Sequence, residues 1–165
     1  PAPGQGISLF TTHVRRGYSD VQDPKLNTHS KLNCIFACIQ AAKAGVDEAL
    51  MLDPHGFVAT CNSTHFFIVK DQQVWTSTGD YCLDGITRSN VIKVCELHGV
   101  PIFQRNFTLS DVYCADEAFI TGTFAGLSSV KQIDGREIGD GSQTMTRQLE
   151  RYYIELIESE HDSRT

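Results

Sequence analysis

Apolar and polar positions change period several times along the chain, and each change marks an element. Residues 7–14, ISLFTTHV, are apolar and β-branched and predict a strand. Residues 15–29 are polar, with Gly17, Asp20, Asp23 and Pro24, and predict a long loop of the kind that is often functional in a compact domain. In SKLNCIFACIQAAKAG, Leu32, Ile35, Phe36, Ile39 and Ala42 recur at the i, i+3, i+4, i+7 spacing of a helix face. Ser30 is the expected N-cap of that helix and Gly45 its stop. Strand-length runs follow: EALMLD, a turn at HG after Pro54, then FVATCN and HFFIVKD around a break at Ser63-Thr64, with QQVWTS completing a meander. GITRSNVIKVCELHGV predicts a second helix, with Ile86, Val91, Val94 and Leu97 inward and Gly99 as its stop.

PIFQRNF then predicts a strand, TLSDVYCA a short helix capped by Thr108 or Ser110, and EAFITGT a strand ending in small residues. VKQIDGREIGDG predicts a hairpin turning at Asp134-Gly135, and a last helix runs over roughly 143–159 before the tail SEHDSRT frays. Strands and helices mix without strict βαβ alternation, so the fold class is α+β. There is no internal repeat and no low-complexity segment.

A length of 165 residues fits a single domain, 1–165, with a sizeable core. The net charge of −6 argues against a general nucleic-acid binder, which needs a basic face. No apolar run reaches the roughly 18 residues that span a bilayer, so no membrane partner is expected. The opening PAPGQGISLF lacks the layout of a signal peptide and a starting Met; a processed terminus or a piece of a longer chain is expected. The cysteines, Cys34, Cys38, Cys61, Cys82, Cys95 and Cys114, include no C-x-x-C pair and no zinc-ligand spacing. Reduced, mostly buried thiols in a cytoplasmic compartment are expected.

Two turns combine small residues, hydroxyls and a helix start. In DGITRSN, Gly85 frees the backbone, and the amides of Ile86 and Thr87 open a helix at the positive end of its dipole. In TGTFAG, a strand ends on Thr121-Gly122-Thr123, where the Thr123 hydroxyl can grip a second side of the same anion. Singly, a Gly-x-Thr before a helix is more often a mere cap. Together the turns suggest a phosphate, on condition that the fold brings them close.

The stretches SKLNCIFACIQAAKAG, DEALMLDPHGFVATCNSTHFFIVKDQQVWTS, GITRSNVIKVCELHGV and ADEAFITGTFAGLSSVKQIDG together resemble the class IV aminotransferases. These are pyridoxal-phosphate enzymes that include branched-chain and D-amino acid aminotransferases and aminodeoxychorismate lyase. The resemblance covers most of residues 25–157, in the order and spacing of the family's larger, C-terminal domain. It implies a D-amino acid aminotransferase-like fold, a mixed, barrel-like sheet with flanking helices. The family's N-terminal domain, which lends an arginine to the phosphate, has no counterpart here. The resemblance further implies pyridoxal 5'-phosphate as cofactor, amino acid and 2-oxo acid substrates of branched-chain type, and a cytoplasmic homodimer. It places cofactor phosphate on the amides of Ile86 and Thr87 and on Thr123.

At the chemistry the chain departs from the family. The carboxylate that keeps the pyridine nitrogen protonated stands at Thr60, a hydroxyl that can hydrogen bond but holds no proton by charge. The asparagine before the family's Leu-Phe pair is His65. The Schiff-base lysine falls at Asn27, which forms no imine. Lys31, four residues on, is then the best amine, with Lys25 in the loop ahead and Lys43 a solvated charge. Three readings of Lys31 stand: a displaced catalytic lysine, a charge that binds an anionic ligand, or surface. Thr60 reads equally as a strand residue or as partner of the ring nitrogen. His29 and His65 are the histidines nearest the expected pocket. His13, His55 and His98 read as structural or surface, Arg88 as a cap or the partner of a carboxylate, and Asp116-Glu117 as a surface salt-bridging pair. The rival to a transaminase is a cofactor-free homologue that binds another anion or serves as a structural partner.

Overall fold

The computed structural model describes residues 6–123 and 126–162. Its elements in chain order are β1 (Ile7–Thr11), α1 (Ser19–Gln22), α2 (Leu32–Lys43), β2 (Glu48–Leu52), β3 (Val58–Cys61), β4 (His65–Lys70), β5 (Gln73–Thr76), α3 (Ile86–Leu97), β6 (Ile102–Gln104), α4 (Leu109–Tyr113), β7 (Glu117–Gly122), β8 (Gly126–Ile133), β9 (Arg136–Glu137) and α5 (Thr144–Asp162). The strands form one sheet in the order β3-β2-β1-β8-β7-β4-β5-β6, with β9 paired to β8. β1 runs parallel to both β2 and β8, and β5 parallel to β6, while the remaining pairs are antiparallel. This is the expected α+β architecture, a mixed sheet with flanking helices.

The near-continuous apolar run of β4 is explained by burial on both faces. Its alternation sends Phe66 and Ile68 into a cluster with Leu9, Leu50, Phe107 and Ile120. Phe67 and Val69 point the other way, beneath Val91 and Val94 of α3 and Leu149 of α5. Across the strands Phe67 stacks on Phe119, with ring centroids 4.9 Å apart and 6° between planes.

The turns follow the sequence closely. Gly45 and Gly99 end their helices with φ of +75° and +67°, a left-handed conformation that glycine adopts without a Cβ penalty. Asp134 and Gly135 both have positive φ, +53° and +77°, as the tight β8–β9 hairpin requires. Thr108 caps α4, its amide and hydroxyl both donating to the Asp111 carboxylate at 3.0 and 3.1 Å. The N-cap of α2 is Lys31 rather than Ser30. The long loop is interrupted by α1, and α5 continues to Asp162 instead of fraying at residue 159. All six cysteines are free; Cys61, Cys82 and Cys95 are buried, whereas Cys38 and Cys114 are exposed. No helix among the described residues is long and apolar enough to cross a membrane.

Two helix faces differ from expectation. α2 lies on β2 through Ala37 and Ala41, which meet Ala49 and Met51. Its larger apolar residues Leu32, Ile35, Phe36 and Ile39 face outward, 44% to 57% exposed. Small side chains let the helix approach the sheet closely, so the bulky stripe is the one turned away. On α3, Val91 and Val94 are buried as expected, but Ile86 and Leu97 are 80% and 65% exposed; Thr87, Arg88 and Cys95 complete the inner face.

The pair Asp116-Glu117 is also not a surface salt bridge. Glu117 is buried, and its carboxylate accepts from the Met145 amide at 2.8 Å and from the Thr146 amide and hydroxyl at 2.8 and 2.7 Å. A carboxylate from β7 thus caps the first turn of α5, where its charge also suits the helix dipole. Asp116 accepts the Asp71 amide at 2.8 Å. Replacing Glu117 by Ala strands three donors at a buried helix end. The variant is expected to lose about 2–4 kcal/mol of unfolding free energy in urea titrations. Glu117→Gln, which keeps one acceptor, is expected to lose less.

Candidate functional site

A cavity of about 550 Å³ opens between the 16–35 segment on one side and the end of β3 with its following turn on the other. Arg16, Lys31, Asn33 and Cys34 line the first wall; Thr60, Thr64, His65 and Leu83 line the second. The second wall is rigid for a local reason. Glu48 is buried and accepts the Ser63 amide and hydroxyl at 2.8 and 2.7 Å and the Thr64 hydroxyl at 2.9 Å. Asn62 is tied to Ala49 in both directions, its amide donating to the Ala49 carbonyl and its Oδ1 accepting the Ala49 amide. The CNST turn is therefore clamped to β2 before β4 begins.

Lys31 caps α2 at the cavity wall, and its Nζ donates to Oδ1 of Asn27 at 2.8 Å. Both residues are exposed, and Asn27 itself does not line the cavity. Thr60 is buried on the opposite wall, with its hydroxyl donating to the Thr64 carbonyl at 2.8 Å. That proton is committed, so Thr60 meets a ligand in the cavity only as an acceptor. The amine and the hydroxyl singled out in the sequence share one cavity. His29 is exposed and does not line it.

The two anion turns lie beyond the cavity, on either side of the start of β4. Pairing of β4 with β7 sets His65 opposite Thr121, and Thr64 approaches Gly122, where a Cβ would lie 3.2 Å from the Thr64 methyl. On the other side the His65 ring packs against Gly85 so tightly that any Cβ there would collide with the imidazole. Gly85 and Gly122 thus flank residues 64–65. α3 starts at Ile86 without a side-chain cap, and its first amides have no protein acceptor among the described residues. Thr87 is buried, Ile86 and Thr123 are exposed, and the two residues after Thr123 lie outside the described ones. This uncapped turn fits a phosphate. Asn27, where the resemblance puts the Schiff-base lysine, offers no amine for a covalent anchor; among the residues lining the cavity, Lys31 carries one.

His65 donates from Nε2 to the Leu83 carbonyl at 2.7 Å, since a carbonyl only accepts. Burial holds its pKa below the ordinary histidine value; Arg88 and Arg16 push the same way, while the Leu83 bond and Asp84 oppose them. Burial also drives the Cys61 thiol well upward, so that sulfur stays protonated. Sequence reading missed Arg16, half-buried in the cavity wall; Arg88, expected as a cap or the partner of a carboxylate, is 5% exposed and bonds instead to neutral acceptors. Arg88 donates to the Ser77 carbonyl and Gln104, holding the 77–85 loop to α3. For Arg16 the only signal was the pair Arg15-Arg16 inside a loop.

The family model for class IV amino-transferases matches residues 1–133. Branched-chain-amino-acid aminotransferase-like protein 2 of Arabidopsis thaliana is 41% identical over 154 residues, 93% of this chain and 28% of that protein. The branched-chain-amino-acid aminotransferase of Pseudomonas aeruginosa is 35% identical over 155 residues, 93% of this chain and 50% of that protein. The chain therefore spans at most half the length of these relatives. Among solved structures, the branched-chain amino acid aminotransferase of Thermobaculum terrenum in its PLP form superposes with a TM-score of 0.87 at 30% identity, over 92% of this chain and 51% of that one. The Thermoproteus uzoniensis enzyme with norvaline gives 0.86 at 31% identity, over 92% and 51%.

The buried histidine makes stability depend on pH. An unfolded histidine takes up a proton near about pH 6.5, whereas folded His65 resists it, so the unfolded state binds more protons as pH falls. Stability is full above that pH and declines below it until the depressed folded value is reached. Urea midpoints measured between about pH 7.5 and 5 are expected to fall for the wild-type chain, and to fall less for His65→Asn.

Proposed function

The chain belongs to the class IV aminotransferases, and from that membership we propose that it carries the cofactor-binding part of a transaminase. Residues 1–165 form one domain of an enzyme that moves an amino group between a branched-chain-type amino acid and a 2-oxo acid with pyridoxal 5'-phosphate. When bound, that cofactor supplies an aldehyde that takes up the amino group and a ring that draws electrons from the substrate's α-carbon.

The protein's own groups have separable tasks. The amides of Ile86 and Thr87, with the Thr123 hydroxyl, hold phosphate at the uncapped end of α3. Thr60 accepts from a ring N–H, its own proton being held by Thr64. Lys31 is the amine that moves a proton at the α-carbon, and Asn27 holds it in the meantime. The carrying observation is that Lys31 and Thr60 stand on opposite walls of one cavity. Assembly as a homodimer in the cytoplasm completes the reading; the exposed stripe Leu32, Ile35, Phe36 and Ile39 and the free thiols support it.

A second reading has its own support. The Lys31 ammonium is bonded to Asn27, and Thr60 brings no charge to a ring nitrogen, as in a homologue that has left cofactor chemistry and keeps the cavity for another anion. Incubation of the whole chain with pyridoxal 5'-phosphate, borohydride reduction and peptide mass mapping separates the two. A transaminase carries the added mass on Lys31 and loses it in Lys31→Met. A colourless protein without label fits the second reading. In the first, Lys31→Ala lowers transamination by about 10²–10⁴-fold.

A further inference from the structure

We propose that Tyr18, His55 and Tyr81 form an aromatic box that binds a methylated ammonium group, with Asp53 and Asp80 supplying the negative charge. None of the three rings lines the cavity described above, and the site does not depend on the transaminase reading. The ring centroids stand 5.9 Å (Tyr18–His55), 6.4 Å (Tyr18–Tyr81) and 6.0 Å (His55–Tyr81) apart, with 77°, 72° and 67° between planes. Each ring is nearly upright to the other two, like the walls at the corner of a box. A point faced by all three lies about 5 Å from each centroid, within the roughly 6 Å reach of a cation–π contact. A hydrogen bond of 3.2 Å between His55 Nε2 and the Tyr81 hydroxyl ties two of the walls together. Tyr18, the third wall, is 50% exposed, so the box opens to solvent.

Elsewhere the chain covers ring faces with its own cations. Lys70 and Arg105 stand over Trp75 and Arg136 over Tyr113, but among the described residues no side-chain cation stands over Tyr18, His55 or Tyr81. Negative charge is nevertheless close. Asp53 is 4% exposed and accepts the His55 and Phe57 amides through one oxygen, at 2.8 and 2.9 Å. It takes no part in the ion pairs of Lys25 with Asp80 and Lys70 with Asp111. Asp80 accepts the Thr78 hydroxyl at 2.9 Å and meets Lys25 at 3.6 Å. Desolvation first, then Asp53, Tyr18 and Asp80, raise the Tyr81 pKa above the ordinary tyrosine value, so the field of both carboxylates is felt at the box. The walls select the occupant. A plain ammonium brings three N–H donors that ring faces leave unsatisfied. A fully methylated ammonium keeps the charge, has no donor to satisfy, and turns apolar methyl groups to the rings.

Titration of the whole chain with tetramethylammonium chloride at constant ionic strength, followed through the ring protons by NMR, tests the assignment. The Tyr18, His55 and Tyr81 resonances are expected to shift saturably, and ammonium chloride to move them far less. Tyr18→Leu is expected to weaken binding about fivefold or more, Tyr18→Phe to bind about as the wild type does, and Asp80→Asn to weaken it about twofold. Tyr18 is half exposed, so its replacement leaves the core intact, and an unchanged urea midpoint for Tyr18→Leu checks this. Choline and trimethyl-lysine amide, titrated in parallel, carry the same head on a free small molecule and on a modified side chain; tighter binding of either supports the box and identifies the source. No saturable shift in the wild-type chain, equal affinity of folded Tyr18→Leu, or an equal response to ammonium chloride overturns the proposal.

Discussion

The antiparallel pairing of β4 with β7, with His65 opposite Thr121, is the constraint on which the site depends. It brings the turn at 121–123 to one side of the strand start, and His65, packed on Gly85 and bonded to the Leu83 carbonyl, holds the turn at 84–87 on the other. Both faces of β4 are buried, so a one-residue slip would exchange Phe66 and Ile68 with Phe67 and Val69 between two differently shaped cores. The register is thus held by packing across the whole sheet, and the turn at 121–123 inherits its precision. Glu48 extends that order to the next loop by gripping Ser63 and Thr64, which sets Thr60 and His65 at the cavity.

Charge is distributed against the trend of the molecule. An acidic chain gathers Arg16 and Lys31 on one wall, a depressed histidine and an acceptor hydroxyl on the other, and free helix amides just beyond. Each feature alone has an ordinary structural explanation. Their convergence in and around one cavity is what favours an anionic ligand. The resemblance puts its lysine and glutamate at Asn27 and Thr60, and on the proposed reading the amine chemistry falls to Lys31.

Much of the fold was legible in the sequence because strands and turns leave local marks. The Asp134-Gly135 hairpin, the Thr108 cap and the stops at Gly45 and Gly99 all depend on residues adjacent to the feature they make. Helix orientation was not legible in the same way. Periodicity in α2 identified an apolar stripe correctly but not that the Ala37-Ala41 side would pack on the sheet, because close approach selects small residues over hydrophobic ones. Glu117 misled for a related reason: its three donors lie 28 and 29 residues away in α5. In the site, Lys31 and Thr60 were identified from the resemblance. Arg16 was not, since its partners Tyr81, Asn33 and Cys34 converge only through the fold.

The most direct measurement is an electron-density map of the whole chain crystallised with pyridoxal 5'-phosphate. Lys31 as the working amine requires phosphate density on the Ile86 and Thr87 amides and continuous density from the ligand's aldehyde carbon to Lys31 Nζ. A phosphate seated elsewhere, or a ligand separated from Lys31 while its Nζ stays on Asn27, contradicts that role.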